Sequence, residues 1–310
     1  NASSMLLLPD LLGYFLTGVK TTEMTIAGTS CLMENRQENW SIEVARRFGI
    51  PEKLYTEIVE PRTFKGNLRQ EIQIQTGMKN TRLVATVGHD SAAAVAAIPD
   101  FGENKLYISI GTNVSMGVER SECLLSREGY LKGFKNTGGI DRKKIIYRDF
   151  SACWHLNEFI RTRKEQGITY SFVDLINMAL EVKNPVPWFD VEVLSFNEAG
   201  GDFCRKMNQY FAQTGQRELT EDGEFVRSIY ESIVLKIRHY AEALKELGIL
   251  YGRINIINGA VRNSLLMQMI SNALGKEVYA GMEYATLTGN LLTQLYAMGE
   301  VKTVKEMGSL

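Results

Sequence analysis

An aspartate at the end of a short apolar run is the first residue equipped for chemistry. Leu83-Val84-Ala85-Thr86-Val87 reads as a buried strand and ends in Gly88-His89-Asp90. A carboxylate there, with a histidine beside it and a glycine making room, sits where open α/β sheets present catalytic groups. It could serve as general base toward a hydroxyl nucleophile. The competing reading is structural, because Asp90 precedes the small-residue run Ser91 to Ala97 and would cap a helix starting at Ser91. Gly111-Thr112-Asn113 is the second candidate: a tight glycine turn offers N–H, hydroxyl and amide donors to a polyphosphate. The same residues also suit an ordinary β-turn, and no Walker-type Gly-Lys-Ser/Thr accompanies them. The third is Asn258-Gly259-Ala260 with Asn263, where a strand-to-helix turn could admit a nucleotide to the backbone or be turn chemistry alone. For Gly289-Asn290, close helix packing is the better reading.

The elements that must position these residues are legible from periodicity. Leu6 to Leu16 has the apolar spacing of a helix that ends at Thr17-Gly18, and Ser41 is placed to cap a short helix ending before Gly49-Ile50-Pro51. Another helix spans about 68–76. Leu106 to Ile110 and Val114 to Val118 read as two strands around the Gly111 turn. From about Trp154 to Tyr210 the pattern is mostly helical, interrupted at Pro185 and Pro187. Phe225, Ile229, Ile233, Ile237, Tyr240, Ala241 and Leu244 then fall on one helical face that stops at Gly248. A strand at Ile254 to Ile257 feeds the Asn258 turn and a helix from about Asn263 to Gly275, the βα arrangement that puts a ligand at a helix N-terminus. Pro99-Asp100-Phe101-Gly102 is the best domain edge.

Composition narrows the partners. The 310 residues carry 35 basic and 36 acidic side chains, so no global field favours nucleic acid or an anionic membrane. No apolar run approaches the roughly 20 residues that span a bilayer. Cys31, Cys123, Cys153 and Cys204 lie far apart with no CxxC pair, and His155 and His239 have no partner at ligand spacing; no metal site is expected. Reduced thiols in a cytoplasmic protein are the expectation.

The order of the landmarks carries more than any one of them. Pro9-Asp10-Leu11-Leu12, Leu16-Thr17-Gly18, Trp40, Gly49-Ile50-Pro51, Ile58-Val59-Glu60-Pro61, Gly88-His89-Asp90-Ser91-Ala92, Ile110-Gly111-Thr112, Gly259-Ala260 with Asn263 and Leu266, and Gly289-Asn290 follow one another as in the FGGY carbohydrate kinases. The sequence resembles that family over nearly its whole length, and His89-Asp90-Ser91-Ala92 resembles the branch acting on deoxyketoses of the L-rhamnulose or L-fuculose type.

The resemblance implies an α/β, actin-like ATPase fold of ribonuclease-H-like domains, with a partial first domain and a complete C-terminal domain. Residues 1–101 would be the C-terminal part of the sugar-binding domain and 102–310 the nucleotide-binding domain. It implies Asp90 as catalytic base, His89 and Asp90 at the sugar, and Gly111, Thr112, Asn157, Gly259 and Asn263 at the nucleotide. It also implies ATP and Mg²⁺, since phosphoryl transfer needs positioning and charge neutralisation more than covalent chemistry. Two departures stand out: Asn258 occupies a family glycine position, and Asp149 falls where the family carries an amide. The family's N-terminal strands have no counterpart before Met5, so the expectation is a fragment inactive alone, with uncovered apolar surface that would favour a homodimer. The second reading is a non-catalytic remnant that binds nucleotide or a protein partner.

Overall fold

The structure, a computed structural model, describes residues 2–34, 36–99 and 105–307. Helix α1 (Leu8–Thr17) carries Pro9 in its first turn, where a missing N–H costs nothing, and ends on Gly18, whose φ of +82° lets its N–H return to the Tyr14 carbonyl. Strand β1 (Thr21–Glu23) leads into α2 (Met24–Thr29), and the pair β2 (Met33–Glu34) and β3 (Asn39–Trp40) precedes α3 (Ile42–Arg47). Ser41 caps α3 by accepting the Val44 N–H, as its sequence position predicts. Strand β4 (Glu57–Val59) pairs parallel with β1. β5 (Phe64–Asn67) is followed by α4 (Gln70–Thr76) and pairs antiparallel with β6 (Arg82–Val84).

The expected strand over 83–87 is therefore shorter. Its ladder stops at Val84, after which Ala85 exchanges backbone hydrogen bonds with Arg62 and Thr63 and the chain turns into α5 (Asp90–Ala96). The expected edge at Pro99-Asp100-Phe101-Gly102 lies outside the described residues beyond Pro99.

Strands β7 (Lys105–Ile110) and β8 (Asn113–Arg120) flank Gly111-Thr112, as the two apolar runs predict. Then come α6 (Arg127–Leu131), β9 (Lys135–Gly138), β10 (Lys144–Ser151), α7 (Cys153–Glu165), α8 (Phe172–Glu181), α9 (Phe203–Gln213) and the long α10 (Asp222–Glu246). Every residue of the expected apolar face of α10 is buried. β11 (Arg253–Ile257) leads through a short 3₁₀ turn to α11 (Ser264–Leu274), which stops at left-handed Gly275. The chain closes with β12 (Val278–Ala280), α12 (Ala285–Met298) and α13 (Val304–Met307). The six-stranded sheet has the order β12-β11-β7-β8-β10-β9, with β11 parallel to both neighbours and β9 antiparallel to β10.

The chain divides into two compact units that are not consecutive in sequence: Asn1–Asn104, Val118–Tyr147 and Tyr284–Leu310 form one, Lys105–Gly117 and Arg148–Glu283 the other. In the first, α5 packs its buried alanines against α12, and a smaller core gathers Met24, Ala27, Met33 and Trp40. The second is built on the buried Leu106, Ile108, Val114 and Met116 of the sheet and the apolar face of α10. Among the described residues no helix is long and apolar enough to cross a membrane.

Candidate active site

In the first unit, Asp90 is the first residue of α5, and the cap position falls to His89. The expected cap over a helix starting at Ser91 is thus not formed. The Asp90 carboxylate accepts only the adjoining Ser91 N–H, at 2.7 Å, and the Ser91 hydroxyl at 3.5 Å, and remains 80% exposed. His89 Nε2 lies 3.6 Å from Asp90 Oδ1.

The backbone beneath Asp90 is held from two sides. The His89 carbonyl accepts the Ala93 N–H as α5 begins, while its N–H donates to Thr25 Oγ1 at 3.1 Å. The Gly88 N–H donates to Glu23 Oε2 at 2.9 Å. Glu23 is 2% exposed and also accepts from Thr25 N, Thr25 Oγ1 and Ile26 N. Burial outweighs these donors and pushes its carboxyl up to about 7. The Glu23 N–H donates in turn to Asp10 Oδ1, which also receives the Lys65 ammonium at 2.8 Å. Asp10 is buried too, and burial raises its pKa although Lys65 opposes the rise.

None of Glu23, Thr25, Asp10 or Lys65 stood out as functional in the sequence, where residues 21–39 read as a polar stretch. The available signal was Thr22-Glu23-Met24-Thr25 ahead of Ile26-Ala27, a carboxylate and hydroxyl placed to cap a turn. Nothing local marks Lys65, which meets Asp10 across 55 residues of chain.

In the second unit, the exposed Gly111-Thr112 turn aims its carbonyls at the start of α7: Thr112 O accepts from Ala152 N and Trp154 N, and Gly111 O from Cys153 N. A Cβ built on Gly111 would meet nothing closer than Asn113 O at 3.9 Å. One built on Gly259 would meet nothing within 4 Å, and neither glycine has a positive φ. Glycine is required at neither position by backbone conformation or packing.

Asn258 has φ +65°, a conformation that asparagine tolerates better than most residues, and turns its amide onto Ser109 Oγ at 2.8 Å. Asn263 caps α11 by accepting the Leu266 N–H at 3.0 Å, the turn-chemistry reading of that residue. Asn157 is exposed on α7, and Asp149 is half-buried on β10.

The remaining candidates sort simply. His155 is fully buried among Phe189, Phe196 and Phe203, with Nε2 3.1 Å from the Val191 carbonyl; burial lowers its pKa to about 4, so it is a neutral core residue. All four cysteines are free thiols. Among the described residues no group of three or more His, Cys, Asp or Glu could hold a metal ion.

Two family patterns together match most of the sequence: the FGGY family of carbohydrate kinases, N-terminal domain, over residues 1–97 and its C-terminal domain over residues 106–298. The chain belongs to the FGGY family of carbohydrate kinases. It is 32% identical over 316 residues to a rhamnulokinase from Bacteroides thetaiotaomicron, a match covering 100% of this chain and 63% of that protein. A rhamnulokinase from Enterococcus faecalis is 30% identical, covering 98% of this chain and 61% of that protein.

Solved structures of other kinases share the fold at lower identity. Xylulose kinase from Lactobacillus acidophilus superposes with a TM-score of 0.76 at 15% identity, over 100% of this chain and 62% of that one. Plasmodium falciparum glycerol kinase with ADP gives 0.75 at 16%, over 97% and 59%. The actin-like α/β fold expected from the sequence is thereby established, and the chain spans somewhat over three fifths of the length of the relatives it matches.

Proposed function

We propose that this chain is the greater part of a kinase that transfers the γ-phosphoryl group of ATP to a deoxyketose of the L-rhamnulose or L-fuculose type. The rhamnulokinase similarity supports the sugar class. The observation carrying the chemistry is the Asp90 carboxylate: exposed, hydrogen-bonded to its neighbour Ser91 with His89 Nε2 3.6 Å away, and mounted on a backbone fixed at Gly88 and His89. Asp90 takes the proton from the sugar hydroxyl as its oxygen attacks the γ-phosphorus, and His89 helps hold the sugar.

Gly111, Thr112, Asn157, Gly259 and Asn263 are the nucleotide residues on this reading. Support comes from the two glycines, whose missing side chains leave open space that a phosphate or nucleoside can occupy. Mg²⁺ would neutralise charge on the phosphates. The domain division is proposed at 101/102, and the cytoplasm as the compartment, where thiols stay reduced. Because the chain spans 63% of a relative's length, the 310 residues alone are proposed to bind without turnover.

The test is calorimetric binding of MgATP and of L-rhamnulose to the chain, with ADP release measured before and after adding the N-terminal third of a relative. Turnover restored by that addition and abolished by Asp90→Asn is the expected result. Turnover that never appears, with nucleotide binding intact, would favour the non-catalytic remnant.

A further inference from the structure

Two of the four hydrogen bonds that Glu23 accepts are ordinary local capping, to the N–H groups of Thr25 and Ile26. The other two lead elsewhere. The Gly88 N–H reaches Oε2 from 65 residues away, and the Thr25 hydroxyl, donating to the same oxygen at 2.6 Å, is the acceptor for the His89 N–H. One buried carboxylate oxygen therefore holds Gly88 directly and His89 through one hydroxyl.

Gly88 gives an independent observation. Its backbone has no positive φ, so conformation does not demand glycine. A Cβ there would lie 2.8 Å from Glu23 Oε2, closer than real Cβ contacts allow, so with any other residue either the turn or the carboxylate must shift. Gly88 and Glu23 fit as a pair.

We infer that Glu23, with Thr25, is a positioning residue for Asp90: it pins the Gly88-His89 backbone so that the exposed carboxylate is presented from a fixed Cα. The inference rests on the reading of Asp90 as the base that meets the sugar. Asp10 supports the arrangement by accepting the Glu23 N–H while paired with Lys65. Four donors converge on the one buried carboxyl group, and the loss of a buried acceptor is felt first at its donors.

Glu23→Gln keeps the side-chain shape and removes the charge. Amide hydrogen exchange at Gly88 and His89 should then accelerate about tenfold or more, with the amides of α12 unchanged. Thr25→Val should accelerate His89 chiefly, and serves if Glu23→Gln does not fold. Calorimetry with L-rhamnulose on the wild type, Glu23→Gln, Asp90→Asn and the double variant reads the coupling: Glu23→Gln should weaken binding about tenfold alone and add nothing once Asp90 is Asn. Additive losses would overturn the inference, as would exchange rates unchanged at Gly88 and His89, or raised equally throughout α12. If Asp90→Asn binds as the wild type does, Asp90 gives no binding for Glu23 to couple to, its role as base is decided by turnover, and the exchange rates alone decide whether Glu23 holds the turn.

Discussion

Gly259 and Asn258 stand side by side and solve different problems. Asn258 adopts a left-handed backbone, which asparagine tolerates, and turns its amide onto Ser109. Gly259 needs no special conformation and has open space where a side chain would go. Gly259→Ala should therefore leave stability within about 1 kcal/mol of the wild type. On the proposed reading it should still weaken MgATP binding about tenfold, since a methyl group would occupy nucleotide space. Thermal unfolding and calorimetry on the same preparation separate the two effects, and unchanged affinity would remove Gly259 from the nucleotide site. The types of these residues were readable from sequence, but their uses were not: whether an asparagine amide faces a ligand or Ser109 depends on a strand almost 150 residues away.

Between elements, the contact of α5 with α12 is the tightest in the first unit. A Cβ on Gly289 would fall 1.8 Å from the Ala93 carbonyl oxygen and 2.7 Å from its carbon, both backbone atoms that cannot step aside. Gly289→Ala should destabilise the protein by about 3 kcal/mol or more, measured as a lowered urea midpoint. Close helix packing at Gly289 was legible from its type, but that the alanine-rich α5 would be its partner was not. Helix α1 was legible only in part. Its periodicity announced a helix, but the buried positions are Asp10 and Gly13, whereas Leu8, Leu12 and Phe15 are 71%, 56% and 55% exposed. Periodicity locates a stripe without saying which stripe goes inside; here the buried Lys65 draws the acidic face inward. β6 fell short of its apolar run because the ladder with β5 stops at Val84 and Ala85 bonds instead to the turn residues Arg62 and Thr63.

For the molecule as a whole, two buried titratable groups pull stability in opposite directions with pH. Glu23 is raised to about 7, so the folded state holds its proton more tightly than the unfolded chain does; that contribution is full below about pH 4.5 and is lost as pH rises through about 7. His155 is lowered to about 4, so its contribution is full above about pH 6.5 and is lost as pH falls through about 4. Each is worth about 3 kcal/mol at most. Urea unfolding at pH 5 and pH 8 should show Glu23→Gln losing much of the alkaline decline and His155→Phe much of the acid one. The succession of landmarks gave away the family fold, yet the make-up of the two units stayed hidden, because strands β8 and β10 each pass through the division and α12 returns to α5 from nearly 200 residues downstream. That return sets a timetable. Because a chain leaves the ribosome from its N-terminus, α5 is made nearly 190 residues before the helix that covers its alanines. Over that interval Ala92 to Ala96 wait without their partner helix, and a nascent chain in that state is the one a chaperone would shield.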